Sequence, residues 1–176
     1  DKVPAMGEPI APGWHLCFLH SYARPASLGA DGAAFEGGVL PKIPMPRRMY
    51  AGSTFTFDGD IRVGDKLRRE TEFTDIQLRK GSTGTLIVTT QTRRIFTPRG
   101  LALTEAASTV FREEVASGAK AGVPVRDAAP SDVPWRRTIT PSPVMLFRYS
   151  AITFNPHRIH YDKPYCMEVE GYPGLV

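Results

Sequence analysis

The chain has 176 residues, is 41% apolar and carries 16 Gly and 16 Pro, the size and turn content of one folded domain or a domain plus a fragment. Its net charge of +4 and pI of about 9.2 come from basic pairs spread along the chain: Arg47-Arg48, Arg68-Arg69, Arg79-Lys80, Arg93-Arg94 and Arg136-Arg137. That spacing lacks the basic stripe of a nucleic-acid binder and suits a few anion contacts, such as the phosphates of a small ligand. No apolar run reaches the roughly 18–20 residues of a membrane-spanning helix. Cys17 and Cys166 sit in unrelated contexts with no CxxC pair, which points to free thiols in a reducing cytoplasm and argues against structural zinc.

The first residues, Asp1-Lys2-Val3-Pro4, show neither an initiator Met nor a basic-then-apolar leader, so the chain is expected to begin inside a longer protein. Residues 1–13 are rich in Pro and Gly and should be irregular. Trp14 to Leu19 is a short apolar patch, a turn of helix or a strand, with His15 and His20 in structural roles. Residues 24–46 run through Gly29, Gly32, Gly37-Gly38, Pro41, Pro44 and Pro46. This is a long loop of the kind that usually binds or covers something.

From Arg48 to Glu114 the pattern turns to strand. Gly52 to Asp58 alternates polar and aromatic residues, Ile61-Arg62-Val63 lies between turns at Asp58-Gly59-Asp60 and Gly64-Asp65, and Lys66 to Gln77 is rich in Thr, Phe and Ile. Thr85 to Phe96 is dense in β-branched residues, and Leu101 to Arg112 closes the set. Glu105-Ala106-Ala107 has helix propensity, but Thr109-Val110-Phe111 favours strand. Short Gly-containing turns predict three long strands in an antiparallel meander.

Residues 115–134 hold Ala, Gly, Pro and Ser with little apolar bulk and read as a linker. Beyond it, Ser142 as N-cap and Pro143 at the first helical position predict a helix. Phe154-Asn155-Pro156 ends that helix, because proline disfavours helical dihedrals in the residue before it. The chain from Asn155 to Asp162 then concentrates a carboxamide, two imidazoles, a guanidinium and a carboxylate. Asn155 and His160 can face one water, the amide as hydrogen-bond partner and the imidazole as proton acceptor near neutral pH. A turn-forming or surface role is the competing reading for each. A metal triad of His157, His160 and Asp162 lacks ligand geometry on a loop, and Cys166 suits packing better than nucleophilic attack.

The run Tyr149 to Asp162, YSAITFNPHRIHYD, resembles the hydratase motif Y-A-x-L-S-G-D-x-N-P-I-H-x-D of MaoC-like hot-dog-fold (R)-specific enoyl-CoA hydratases. A double-hot-dog subgroup, the type 2 hydroxyacyl-thioester dehydratases that include itaconyl-CoA and mesaconyl-CoA hydratases, is more similar. Its members carry runs like FRYSAITFNPHRIHYDKPY, EGYPGLV, PRRMYAGSTFTF and VGDKLRRETEF, so the resemblance covers nearly the whole chain.

The resemblance implies an α+β double hot-dog, an antiparallel sheet wrapped around a central helix, with the second hot-dog truncated. Residues 1–114 would be a non-catalytic hot-dog, 115–136 the linker and 137–176 the start of the catalytic hot-dog. Thr153 falls on the motif Ser, Asn155 on its catalytic Asp and His160 on its catalytic His. An amide cannot take a proton, so His160 becomes the acid/base and Asn155 orients the water. The implied reaction is reversible addition of water to an enoyl-CoA, with short branched dicarboxylic acyl-CoAs such as itaconyl-CoA or mesaconyl-CoA as candidate substrates. Arg148 or Arg158 would read a distal carboxylate. Tyr149 and Thr153 are further substrate-contact candidates, and Arg47 and Arg48 candidates for the CoA phosphates. Backbone donors for the enolate are expected past Val176, so the 176-residue piece alone should be nearly inactive. Neither metal nor separate cofactor is expected, coenzyme A being part of the substrate. A cytoplasmic homodimer or higher homo-oligomer without nucleic-acid or membrane partners is expected. The rival readings are a hot-dog acyl-CoA thioesterase and a non-catalytic acyl-CoA-binding protein.

Overall fold

A computed structural model describes residues 2–20, 22–33, 43–81, 84–113 and 130–176. The chain divides into two compact units, one of Asp1–Ser21 with Gly38–Val115 and one of Tyr22–Gly37 with Ala116–Val176.

The first unit is built on four strands: β1 (Arg47–Phe57), β2 (Arg68–Gly81), β3 (Gly84–Thr97) and β4 (Gly100–Arg112). They form one antiparallel sheet in the order β1-β4-β3-β2. β-Branched residues fill β3, and its pairing with β4 settles Leu101–Arg112 as strand and not helix. Between them Thr97 lies opposite Gly100, whose φ of 120° lets the chain reverse over Pro98-Arg99. The meander therefore runs through β2, β3 and β4.

β1 does not precede β2 in the sheet but pairs with the far side of β4, from Arg47 opposite Arg112 to Phe57 opposite Leu103. Residues 58–67 are too long for a tight hairpin and cross the end of the sheet. Arg99 holds this crossing in place, its guanidinium donating to Asp65 at 2.9 and 2.6 Å and to the Asp60 carbonyl at 3.1 Å. Ile61-Arg62-Val63, between its two turns, meets the N-terminal residues: Ile10 N–H donates to Ile61 O at 2.9 Å, and Arg62 bridges to Pro9. Burial peaks on the central strands, where Leu103, Ala102 and Thr89 are almost completely enclosed.

The apolar patch after residue 13 is a 3-10 turn, Trp14–Cys17, that sets His15 edge-on to the rings of Phe55 and Phe57, at 5.5 and 6.4 Å. His15 is 5% exposed and its Nε2 has no hydrogen-bond partner. Burial lowers its pKa, opposed by the nearby Glu105 carboxylate. Glu105 is itself buried and accepts from Ser53 Oγ at 2.8 Å and Arg93 Nη1 at 3.0 Å. Among the described residues of this unit no α-helix accompanies the sheet.

The second unit carries α1 (Pro143–Ile152) and α2 (Lys163–Glu168) with 3-10 turns at Pro25–Ser27 and Arg158–His160. Ser142 caps α1 as its sequence predicts, its Oγ accepting from Met145 N–H at 3.3 Å. The helix presents Val144, Phe147, Tyr149 and Ile152 as exposed apolar groups. Asp162 caps α2 through a 3.1 Å bond from Tyr165 N–H, and Tyr165 and Cys166 are buried beneath it. Of the linker expected at 115–136, residues 115–129 lie outside the described residues, and 130–142 adopt neither helix nor strand. Cys17 and Cys166 are both free thiols.

Candidate functional site

The polar loop leaves α1 through one strained residue. Thr153 N–H donates to Tyr149 O at 3.0 Å and its hydroxyl to the same oxygen at 2.7 Å, closing the last helical turn. Phe154 follows with φ at 51°, a left-handed conformation that costs a residue with a Cβ. Its ring rests edge-on against Tyr22 at 5.2 Å. The turn it makes brings Asn155 N–H back to Ser150 O at 2.8 Å.

Asn155 and His160 then acquire defined hydrogen-bonding roles. Asn155 Oδ1 accepts from His157 N–H at 3.2 Å, an Asx-turn that spends the acceptor half of the amide. The Nδ2 half is left as a donor. His160 Nδ1 sits 2.6 Å from the main-chain oxygen of Val176, and Val176 N–H donates to Ile159 O at 3.0 Å. A main-chain oxygen only accepts, so Nδ1 carries a proton, and in the neutral imidazole Nε2 is then the nitrogen with the lone pair. That is the tautomer a proton-accepting imidazole needs.

Around these two lies a frame of ion pairs. Arg158 Nε and Nη2 donate to Asp162 Oδ2 at 3.0 and 2.7 Å, Nη1 donates to Ala30 O at 3.0 Å, and the guanidinium lies 3.9 Å from the centre of the Tyr165 ring. The salt bridge and the Tyr165 N–H hold Asp162 below the usual carboxylate pKa, and the same bridge raises Arg158. Burial and the bond to Glu170 push the Tyr165 phenol up to about 12. Desolvation likewise raises the Cys166 thiol, whose Sγ donates to Gly174 O at 2.7 Å, in keeping with packing and not attack.

The segment Tyr22–Ala33 falls mostly within the 24–46 loop expected to bind or cover something, but sequence reasoning did not connect it with this site. Asp31 O accepts from Arg158 N–H at 2.8 Å, and the Asp31 carboxylate lies 3.9 Å from His157 Nε2. The His157 and His160 rings are perpendicular at 5.8 Å. Gly32 has φ of 81°, and a Cβ there would fall 2.4 Å from Pro156 O. Only glycine fits so close an approach. The glycines of the segment were the available signal, but the loop they dock on is more than a hundred residues away.

Asn155, His160, Thr153, Tyr149, Arg148 and Arg158 thus belong to one unit, and Arg47 and Arg48, half-buried at the start of β1, belong to the other. Arg148 and Tyr149 are exposed on α1, whereas Arg158 is engaged within the protein. The Thr153 hydroxyl spends its proton on α1 and retains only acceptor capacity. Among the described residues no three His, Cys, Asp or Glu side chains group to hold a metal ion, and no helix is long and apolar enough to cross a membrane.

Residues 13–176 match the family model for hydroxyacyl-thioester dehydratase type 2. The chain is 39% identical over 178 residues to mesaconyl-C(4)-CoA hydratase of Chloroflexus aurantiacus, covering 98% of this chain and 61% of that protein. A 37-residue stretch is 54% identical to the mitochondrial hydroxyacyl-thioester dehydratase type 2 of Schizosaccharomyces pombe, 21% of this chain and 12% of that one. Among solved structures it is similar to HtdX of Mycobacterium tuberculosis (TM-score 0.50, 18% identity, 73% of this chain and 49% of that chain). A MaoC-like dehydratase matches with TM-score 0.51 at 19% identity, over 76% of this chain and 51% of that chain. The likeness extends to their hot-dog fold, with about half of the double-hot-dog length represented. By sequence, the chain belongs to the hydroxyacyl-thioester dehydratase type 2 family.

Proposed function

We propose that the protein to which this chain belongs is a hydro-lyase that reversibly hydrates an enoyl-CoA thioester, with His160 as acid/base and Asn155 as the orienting group. The observation that carries this is the His160 Nδ1 contact with the Val176 main-chain oxygen, which makes Nε2 the proton acceptor of the neutral ring. In the hydration direction Nε2 takes a proton from water as its oxygen bonds to Cβ, and the π electrons move to the thioester oxygen. The Asn155 Nδ2–H group donates to the water oxygen and sets its approach. The His160 Nε2–H then gives that proton to Cα of the enolate, which returns the imidazole to its neutral form, and the reverse sequence expels water.

The chain spans 61% of its Chloroflexus relative and about half of the solved structures. We place the donors for the enolate oxygen in the length it does not span, one such donor being worth about 3–4 kcal/mol of barrier. The domain reading that goes with this is 1–114 as a non-catalytic hot-dog that lends its Tyr22–Ala33 segment to the second unit, 115–136 as linker and 137–176 as the opening of the catalytic hot-dog. Arg148, exposed on α1, is the arginine proposed for a distal carboxylate, since Arg158 is occupied. Tyr149 and the acceptor side of Thr153 face the substrate, and Arg47 and Arg48 serve the CoA phosphates. A short dicarboxylic acyl-CoA is the proposed substrate, after the 39% identity to a mesaconyl-C(4)-CoA hydratase. We further propose a homo-oligomer working in the cytoplasm.

The test is a hydration assay of the full-length protein over a panel of enoyl-CoAs, following enoyl absorbance and free CoA in parallel, with His160→Ala as control. Loss of absorbance without CoA release, abolished in His160→Ala, is expected. CoA release instead would make the protein a thioesterase, and a His160→Ala variant at wild-type rate would overturn the mechanism.

A further inference from the structure

The salt bridge, the stacked ring and the docked N-terminal segment around Arg158 have no role in the hydration chemistry itself. Arg158 lies two residues before His160 and makes contacts in three directions. Its main-chain N–H and Nη1 hold the segment Tyr22–Ala33 through Asp31 O (2.8 Å) and Ala30 O (3.0 Å). Its Nε and Nη2 hold Asp162 Oδ2 at 3.0 and 2.7 Å. Its main-chain oxygen accepts from Tyr161 N–H at 3.1 Å and Asp162 N–H at 2.8 Å, which winds the turn on which His160 sits.

These contacts continue to the far side of the imidazole. Asp162 caps α2 through its other oxygen, at 3.1 Å from Tyr165 N. From α2, Cys166 Sγ reaches Gly174 O at 2.7 Å and Cys166 O receives Tyr172 N–H at 3.0 Å. The stretch so anchored carries Val176, whose oxygen accepts the His160 Nδ1 proton at 2.6 Å. The ring is thus reached by two routes, along the turn and around through α2, and both pass through Arg158. The guanidinium edge formed by Nε and Nη2, which would fork a substrate carboxylate, is filled by Asp162.

We propose that Arg158 is the positioning residue of this site: by clamping the Tyr22–Ala33 segment and the Asp162 cap together, it fixes the turn that holds His160 in its Nδ1-protonated tautomer. This rests on the hydratase reading only for its kinetic consequence. Its geometric content concerns His160 whatever the protein catalyses. It separates the two arginines of the motif region, leaving Arg148 for substrate and Arg158 for architecture. It also gives the glycine-rich segment a purpose, since Gly32 allows the approach to Pro156 O that brings Ala30 and Asp31 within reach.

The experiment uses the full-length protein, 15N-labelled at histidine, with the His160 signals identified by their loss in His160→Ala. In the wild type His160 shows one tautomer, protonated at Nδ1. In Arg158→Gln the two tautomers mix, kcat for the best enoyl-CoA falls about 10²-fold as misplacement of a catalytic group does, and KM stays within about threefold. Arg158→Lys, which keeps the cation but loses the fork, is expected to recover part of that kcat. Gly32→Ala, which leaves Arg158 intact and displaces its clamp, is expected to reproduce the tautomer mixing. If Arg158→Gln is too unstable to study, Arg158→Lys and Gly32→Ala carry the same readout. A single Nδ1-protonated tautomer in all variants overturns the proposal, and so does a rise in KM confined to dicarboxylic acyl-CoAs. A protein inactive on every enoyl-CoA would remove the hydratase reading while the tautomer readout still decides the role of Arg158.

Discussion

His160 and Val176 hold each other through two hydrogen bonds on adjacent residues, Nδ1 to the Val176 oxygen at 2.6 Å and Val176 N–H to the Ile159 oxygen at 3.0 Å. The pair works like a short piece of sheet with an imidazole as one rung. It explains how a histidine on an irregular turn can have a single tautomer.

His160→Asn separates that structural bond from the chemistry. An asparagine amide can donate to the Val176 oxygen much as Nδ1 does, but it cannot take a proton. The variant should match the wild type in urea midpoint and lose about 10²–10⁴-fold in hydration rate, the range for removing a general acid/base. A large stability loss would show that the imidazole is held by more than this one bond.

His15 should shape the pH dependence of stability. Its folded pKa is depressed by burial, so the unfolded chain binds the proton more tightly in the range between the folded value and the ordinary 6.5. The stabilisation is complete above pH 6.5 and is lost as pH falls below it. His15→Phe, which suits the Phe55 and Phe57 rings and has no unpartnered Nε2, should flatten this slope. Urea midpoints at pH 5 and pH 8 test it. An unchanged difference between the two would mean that His15 is not the titrating group.

Asp162 acts at lower pH. Its folded pKa lies below the ordinary 3.8 because Arg158 and the Tyr165 N–H favour the carboxylate. Its contribution is present at neutral pH and disappears as pH falls through the folded value. Asp162→Asn should shift the neutral urea midpoint down and make the decline below pH 4 shallower than in the wild type. A parallel decline in both proteins would contradict this.

Local chemistry was readable in the sequence where one segment decided the outcome. The β-branched run at Thr85–Phe96 and the Ser142-Pro143 pair announced a strand and a helix, and both are present. The starting point of β1 was missed, since Arg47 to Ala51 shows no alternation and is held by its pairing with β4. That pairing is itself long-range, and hairpin order along the chain does not reveal it. α2 was missed for another reason: Asp162 was weighed as a metal ligand, and the Asp-Lys-Pro sequence of a capped helix start was passed over. The chemistry of Asn155 and His160 was visible in the residue types. The docking of Ala30 and Asp31 onto Arg158 was not, because nothing local links positions so far apart.

The left-handed backbone of Phe154 sets two useful properties against each other. A non-glycine residue held at φ of 51° stores strain of order 1–3 kcal/mol. Phe154→Gly would release it, and a screen for heat resistance would reward the change. The same glycine would let the helix exit swing and spread the directions in which Asn155 points. Selection for thermal survival alone would therefore drift away from turnover at this position.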